Sequence, residues 1–186
     1  GSFTDDLNRL LQSMRDAHSW EKRRFLIRLL EKLLLEAPYE CGFVKKMKKQ
    51  DYPVLASVFE QVLQLERDIY DKTTTCDSIE MAAIFNCLSG TPERIDQVYG
   101  KASSWAKKVI KEECSYWDFY SRLGCIADAL DCSAEERVEM LASLHSTKTV
   151  REEICRLDPE QLKNSRKERG KYLKVLEQEL FNSGER

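Results

Sequence analysis

WEKRRFLIRLLEKLLLEA, Trp20 to Ala37, is the most apolar stretch of the chain and decides how the rest is read. On a helical wheel at about 100° per residue, Phe25, Leu26, Ile27, Leu29, Leu30, Leu33 and Leu34 cover more than half the circumference. Glu21, Arg24, Arg28, Glu31 and Lys32 gather on the narrow remainder, with Leu35 among them. A surface helix carries a narrower apolar stripe than this. The stretch is therefore expected to be the core element, touched by neighbours on several sides.

Amphipathic helical patterns continue on both sides of it. Thr4 opens a first helix with Leu7, Leu10, Leu11 and Met14 on one face. Ala17 to Ser19 breaks the pattern, and Ser19 caps the core helix by offering its hydroxyl to an otherwise unbonded first-turn N–H. Pro38 ends that helix, because the residue before a proline avoids the helical region. A short helix over 39–49 carries Cys41, Val44 and Met47, with Gly42 as its weak point. Asp51-Tyr52-Pro53 starts a stronger helix that reaches about Lys72 through Val54, Leu55, Val58, Phe59, Val62, Leu63 and Ile69.

Thr73 to Cys76 reads as a loop, since β-branched residues in series disfavour a helix interior. Asp77 with Glu80 then forms a capping-box-like start, and Gly90 ends that helix. Thr91-Pro92 opens a helix that runs to about Glu112. Ser115 with Asp118 opens the next, and Ser133 with Glu136 the one after, with Val138, Leu141 and Leu144 as its stripe. Thr149 with Glu152 starts a short helix holding Val150, Ile154 and Leu157. Asp158-Pro159-Glu160-Gln161 starts the last, which runs to about Phe181.

The expected fold class is all-α, with about ten helices in antiparallel hairpins over 4–36, 39–72, 77–113, 115–146 and 149–182. Each hairpin spans about 34 residues, the period of helical-hairpin repeats. LLQSMRDAHSW at 10–20 and MLASLHSTKTV at 140–150 form a short internal echo, while the W-x₂-L-G-x₂-Y and T-P-L-H signatures are missing. An irregular α-solenoid and a multi-helix bundle both fit, with a pair of small helical units as a third arrangement. Gly1-Ser2 reads as a cloning scar, 3–182 as a single all-helical domain and 183–186 as a flexible C-terminal tail. The scar implies a fragment excised from a larger protein.

Thirty Lys and Arg stand against 32 Asp and Glu, for a net charge of −2. That lacks the global basic excess of a dedicated nucleic-acid binder. Seven cysteines, odd in number and widely spaced, suit reduced buried thiols in the cytoplasm or nucleus better than a disulfide framework. No signal peptide is seen, and no apolar run approaches the ~20 residues of a membrane span. The expectation is an intracellular chain that does not enter a membrane.

The candidate sites are few. Cys125 and Cys132 are the closest cysteine pair, and His18 and His145 are the only histidines. Neither spacing matches a zinc motif, so the cysteines read as core thiols, with no metal and no cofactor. Both histidines fall at expected helix C-termini, where a cation meets the helix dipole. That reading is preferred to a base for a catalytic cysteine. No phosphate-binding G-x-G-x-x-G or G-x-x-x-x-G-K-[ST] loop is present.

Three basic patches stand out. Lys45, Lys46, Lys48 and Lys49 form the densest. Lys101, Lys107, Lys108 and Lys111 flank Trp105, a pattern that suits single-strand binding and equally suits lysine stems laid over a core aromatic. Arg166, Lys167, Arg169 and Lys171 form the third. Tyr116-Trp117-Asp118-Phe119-Tyr120 packs four aromatics into five residues. One helix cannot bury all of them on one side, so with Phe119 and Tyr120 turned inward Trp117 points elsewhere, to a partner or to the next helix.

The function expected is a non-catalytic protein–protein interaction domain of adaptor or scaffold type, not an enzyme. Its contact residues would be Trp117, Tyr120, Lys45, Lys46, Lys48 and Lys49, and its partner a helix or peptide laid in a groove. The alternative is a helical nucleic-acid-binding domain that uses the lysines at 45–49. Self-association through Leu173, Leu176 and Leu180 of the last helix is a further expectation.

Overall fold

A computed structural model describes residues 3–16, 46–64, 72–114 and 116–156, together with Ser19, Glu21, Lys22, Arg24, Phe25 and Arg28. The described residues are helical, without strands, and form seven α-helices. These are α1 (Phe3–Asp16), α2 (Tyr52–Val62), α3 (Lys72–Leu88), α4 (Arg94–Gly100), α5 (Ser104–Glu113), α6 (Tyr116–Ala129) and α7 (Ala134–His145). A 3₁₀ turn over Lys49–Asp51 leads into α2, and a π turn over Val150–Ile154 follows α7. The helices expected over 159–181 and over most of 20–37 and 39–49 lie outside the described residues.

Helix α3 is the element the others are built on. It packs against α2, α4, α5, α7 and the π turn. Every residue from Thr74 to Asn86 is buried. Contact on all sides requires small residues where helices approach closely, and α3 supplies Cys76, Ser78, Ala82 and Ala83 between the larger Ile79, Met81, Ile84 and Phe85. Its polar side chains are bonded locally: Ser78 Oγ donates to Thr74 O at 2.7 Å and Asn86 Nδ2 to Ala82 O at 2.9 Å. The loop expected over Thr73 to Cys76 is helix instead. Tertiary burial outweighs the few tenths of a kcal/mol by which threonine disfavours helix.

Most of the core element expected from the sequence, with Leu26, Ile27, Leu29, Leu30, Leu33 and Leu34, lies outside the described residues. Among the described residues of the 20–37 stretch, Phe25 is 65% exposed. The Phe25 ring is therefore outside the core, and α3 holds the central place among the described residues. Ser19 does act as a cap, its hydroxyl accepting from Lys22 N at 3.2 Å.

Other boundaries show which local signals carried weight. Helix α2 stops at Val62 rather than continuing, and the freed Leu63 carbonyl accepts Ser103 N at 2.8 Å. The helix expected from Pro92 to Glu112 is two, because Ser103 caps a new start by accepting from Ala106 N at 3.0 Å. Gly90, at φ +77°, closes α3 as expected. Gly90 N bonds Cys87 O and Thr91 N bonds Asn86 O, the paired bonds of a Schellman end. Asp131, at φ +53°, performs the same closure on α6, with Cys132 N bonded to Ala127 O. Ser133 and Glu136 make the expected reciprocal cap of α7, at 3.2 and 3.4 Å. Among the described residues no helix is long and apolar enough to cross a membrane.

Candidate functional site

The basic stretch at 46–49 is held as a fixed turn. Met47 is buried in the core beside α2, while Lys46, Lys48 and Lys49 on either side of it are exposed. Asp51, itself buried, accepts from Lys48 N at 2.8 Å through Oδ2, and Asp51 N donates back to Lys48 O at 2.9 Å. The lysines thus project from a backbone fixed at both ends, by an apolar plug and by a reciprocal bond. Lys45 lies outside the described residues.

The aromatic half of the expected site divides. Trp117 belongs to α6, and its side chain lies outside what is described. Tyr120 is 4% exposed and turned into the domain. Its hydroxyl is 2.8 Å from His145 Nε2, the two rings stack at 5.9 Å, and the hydroxyl also bonds the Cys155 thiol. Tyr120 therefore leaves the contact surface expected of it, because both its ring and its hydroxyl are used inside.

His145 ends α7, as expected, but not as a cation. Burial, with Arg151 second, holds its pKa down to about 4, so the ring is neutral near pH 7. Arg151 serves the helix end instead, donating to His145 O at 3.1 Å and Ser146 O at 3.2 Å. Burial pushes the Cys155 thiol up to about 12, despite its bond from Tyr120. Near pH 7 the imidazole is neutral and the thiol protonated, and Tyr120 lies between them.

Charged side chains, several of them buried, link helix to helix. Arg122 of α6 pairs with both Asp77 and Glu80 of α3. The expected capping pair of α3 is thus mid-helix and bonded to another element. Glu60 of α2 takes a two-pronged bond from Arg94, at 3.0 and 2.9 Å, and a third from Asn86 at 2.9 Å. Arg137 of α7 pairs with Asp128 of α6 and donates to Cys132 O. Asp96 of α4 accepts Thr149 N at 2.8 Å and Thr149 Oγ1 at 2.7 Å, which caps the turn after α7. One signal was legible beforehand: Arg122 lies one turn from both Phe119 and Ile126, a charge placed on an apolar stripe.

Of the lysines around Trp105, Lys101, Lys108 and Lys111 are exposed, and Lys107 is held against its own domain. Lys107 Nζ sits 5.8 Å from the Tyr99 ring centroid and donates to Gly100 O at 3.1 Å. Trp105 is half-buried against the core. The patch at 166–171 lies outside the described residues. Among the described residues, no group of three or more His, Cys, Asp and Glu is placed to hold a metal ion. No family model, curated protein or solved structure matches the chain.

Proposed function

We propose that the chain is a non-catalytic protein–protein interaction module of adaptor or scaffold type, and that the lysine turn at 46–49 is part of its contact surface. The observation that carries this reading is the turn itself: Met47 and Asp51 are buried while Lys46, Lys48 and Lys49 stand outward. A fixed turn loses little ordering entropy on binding, and three neighbouring cations suit an acidic protein surface, where charge complementarity sets orientation and on-rate. The links between elements support the same reading, since Arg122, Glu60, Arg137, Asp96 and His145 are engaged in joining elements to one another. Helices gathered about α3 support a multi-helix bundle over a solenoid. Trp117 remains part of the proposed surface. Among the described residues the six cysteines form no disulfide, which supports an intracellular site of action, cytoplasmic or nuclear.

Capture from cell extract by the wild-type chain, by a K46E/K48E/K49E variant and by Trp117→Ala tests the surface. The charge variant is expected to keep its thermal midpoint and lose the partners that the wild type retains. Identical partner lists for all three would sink the proposal. Titration with labelled single-stranded RNA and duplex DNA separates the nucleic-acid reading, which requires affinity that falls steeply with salt.

A further inference from the structure

The chain carries one Ser/Thr-Pro dipeptide, Thr91-Pro92, and it lies in the turn between α3 and α4. Gly90, at φ +77°, closes α3 just before it. A Cβ placed on Gly90 would meet nothing within 4 Å, so the approach to the turn is open. Gly90, Thr91 and Glu93 are exposed.

The Thr91 hydroxyl is loosely held. Its oxygen lies 3.3 Å from Asn86 O and 3.4 Å from Asn86 Oδ1, beyond the usual range of a hydroxyl bond. The hydroxyl of Ser89, two residues earlier, is tied to Phe85 O at 2.7 Å.

Asn86 connects Thr91 to an ion pair. Asn86 Nδ2 donates to Glu60 Oε1 at 2.9 Å, and Arg94 donates to both Glu60 oxygens, at 3.0 and 2.9 Å. Glu60 is buried, while the Arg94 side chain is 53% exposed. Arg94 is three residues from Thr91, and its backbone N–H donates to Thr91 O at 3.2 Å. An exposed hydroxyl, a buried carboxylate and a half-exposed cation thus stand in one hydrogen-bonded network.

A proline after an acceptor hydroxyl has no N–H. It leaves no donor unpaired in a kinase whose adjoining pocket is apolar. We propose that Thr91 is the acceptor site of a proline-directed protein kinase, and that its phosphate draws Arg94 away from Glu60. The Thr91 hydroxyl oxygen attacks the γ-phosphorus of ATP. The bond from that phosphorus to the β,γ-bridging oxygen breaks, ADP leaves, and the hydroxyl proton passes to a carboxylate of the kinase. The product carries a charge of about −2 and three strong acceptor oxygens. It repels the Glu60 carboxylate and competes for the Arg94 guanidinium, whose fork suits phosphate as well as carboxylate. Glu60 then keeps only its bond from Asn86, and the junction of α2, α3 and α4 weakens.

The test treats the native chain with Mg-ATP and purified proline-directed kinases of the cyclin-dependent and mitogen-activated types. A single phosphate is expected, mapped to Thr91 by peptide fragmentation. Thr91→Val should abolish it, and Pro92→Ala should slow it about tenfold or more, the usual worth of an apolar pocket contact. The thermal midpoint of the phosphorylated wild type should fall by about 2–4 °C. In Arg94→Gln, which lacks the ion pair from the start, phosphorylation should move the midpoint much less. Mapping of the wild type decides the site by itself if that variant fails to fold. No incorporation by either kinase, phosphate on other residues only, or labelling of Thr91 only after denaturation would overturn the site. An equal fall in midpoint for wild type and Arg94→Gln would overturn the exchange at Arg94.

Discussion

Helices α3 and α5 lie side by side and are built on opposite plans. In α5, Ala106, Val109 and Ile110 face inward while Lys108, Lys111 and Glu112 face water. That is the one-sided stripe of a covering helix. In α3, KTTTCDSIEMAAIFNCL, polar and apolar residues alternate without a clean stripe, yet the helix is surrounded on all sides. The contrast shows that a central helix need not carry a clean apolar stripe. Contact on every side favours small side chains at close approaches, together with polar groups that find partners within reach. Asp77 and Glu80 find Arg122, Asn86 finds Glu60, and Ser78 finds its own backbone.

The sharpest way to break this contrast is to remove the partner of the α3 carboxylates. Arg122→Leu leaves Asp77 and Glu80 buried without their cation, and should cost about 3–5 kcal/mol in urea unfolding. A loss below about 1 kcal/mol would mean that the α3–α6 charge link is incidental. The small residues of α3 come next. Ala83→Leu forces extra volume into a fully buried contact and should cost about 1–3 kcal/mol, read as a lower thermal midpoint. Lys108→Leu, the same gain of an apolar chain on the outer face of α5, should stay within about 0.5 kcal/mol of wild type. Equal losses at the two positions would erase the distinction between central and covering helix.

His145 offers a further comparison, because it is a helix-end histidine that burial has made neutral. Its folded pKa of about 4 lies below the usual unfolded value of about 6.5. Between those values the unfolded chain binds the extra proton, so stability falls as pH drops through the window. The loss between pH 7 and pH 5 should be about 2 kcal/mol from this residue. His145→Gln should flatten the profile over that range. A slope unchanged by the substitution would assign the acid sensitivity to other groups. The smallest effect is expected at Phe25, whose ring is exposed: Phe25→Ala should leave unfolding within about 0.5 kcal/mol of wild type.

Much of the local structure was readable because it depends on neighbours a few residues apart. Ser19, Ser133 with Glu136, and the left-handed glycine at 90 each act through bonds spanning at most five positions. The candidate site was readable only in part for the same reason. A run of lysines announces charge, but the burial of Met47 and the bond from Lys48 N to Asp51 fix how that charge is held. Tyr120 was misplaced because nothing along the chain says that His145 and Cys155, 25 and 35 positions on, converge on one hydroxyl.

The sequence by itself determined that the described chain is helical, which residues cap or close several of its helices, and that its cations cluster at 46–49. Those properties follow from periodicity and short-range hydrogen bonding. Only the tertiary structure decided which of the described helices lies at the centre, that the threonines of 73–75 are helical, and that Asp77 and Glu80 answer to Arg122 rather than to a cap. The physical reason is common to all three. Local preferences here amount to fractions of a kcal/mol per residue, whereas leaving a buried charge unpaired or a core position unfilled costs several.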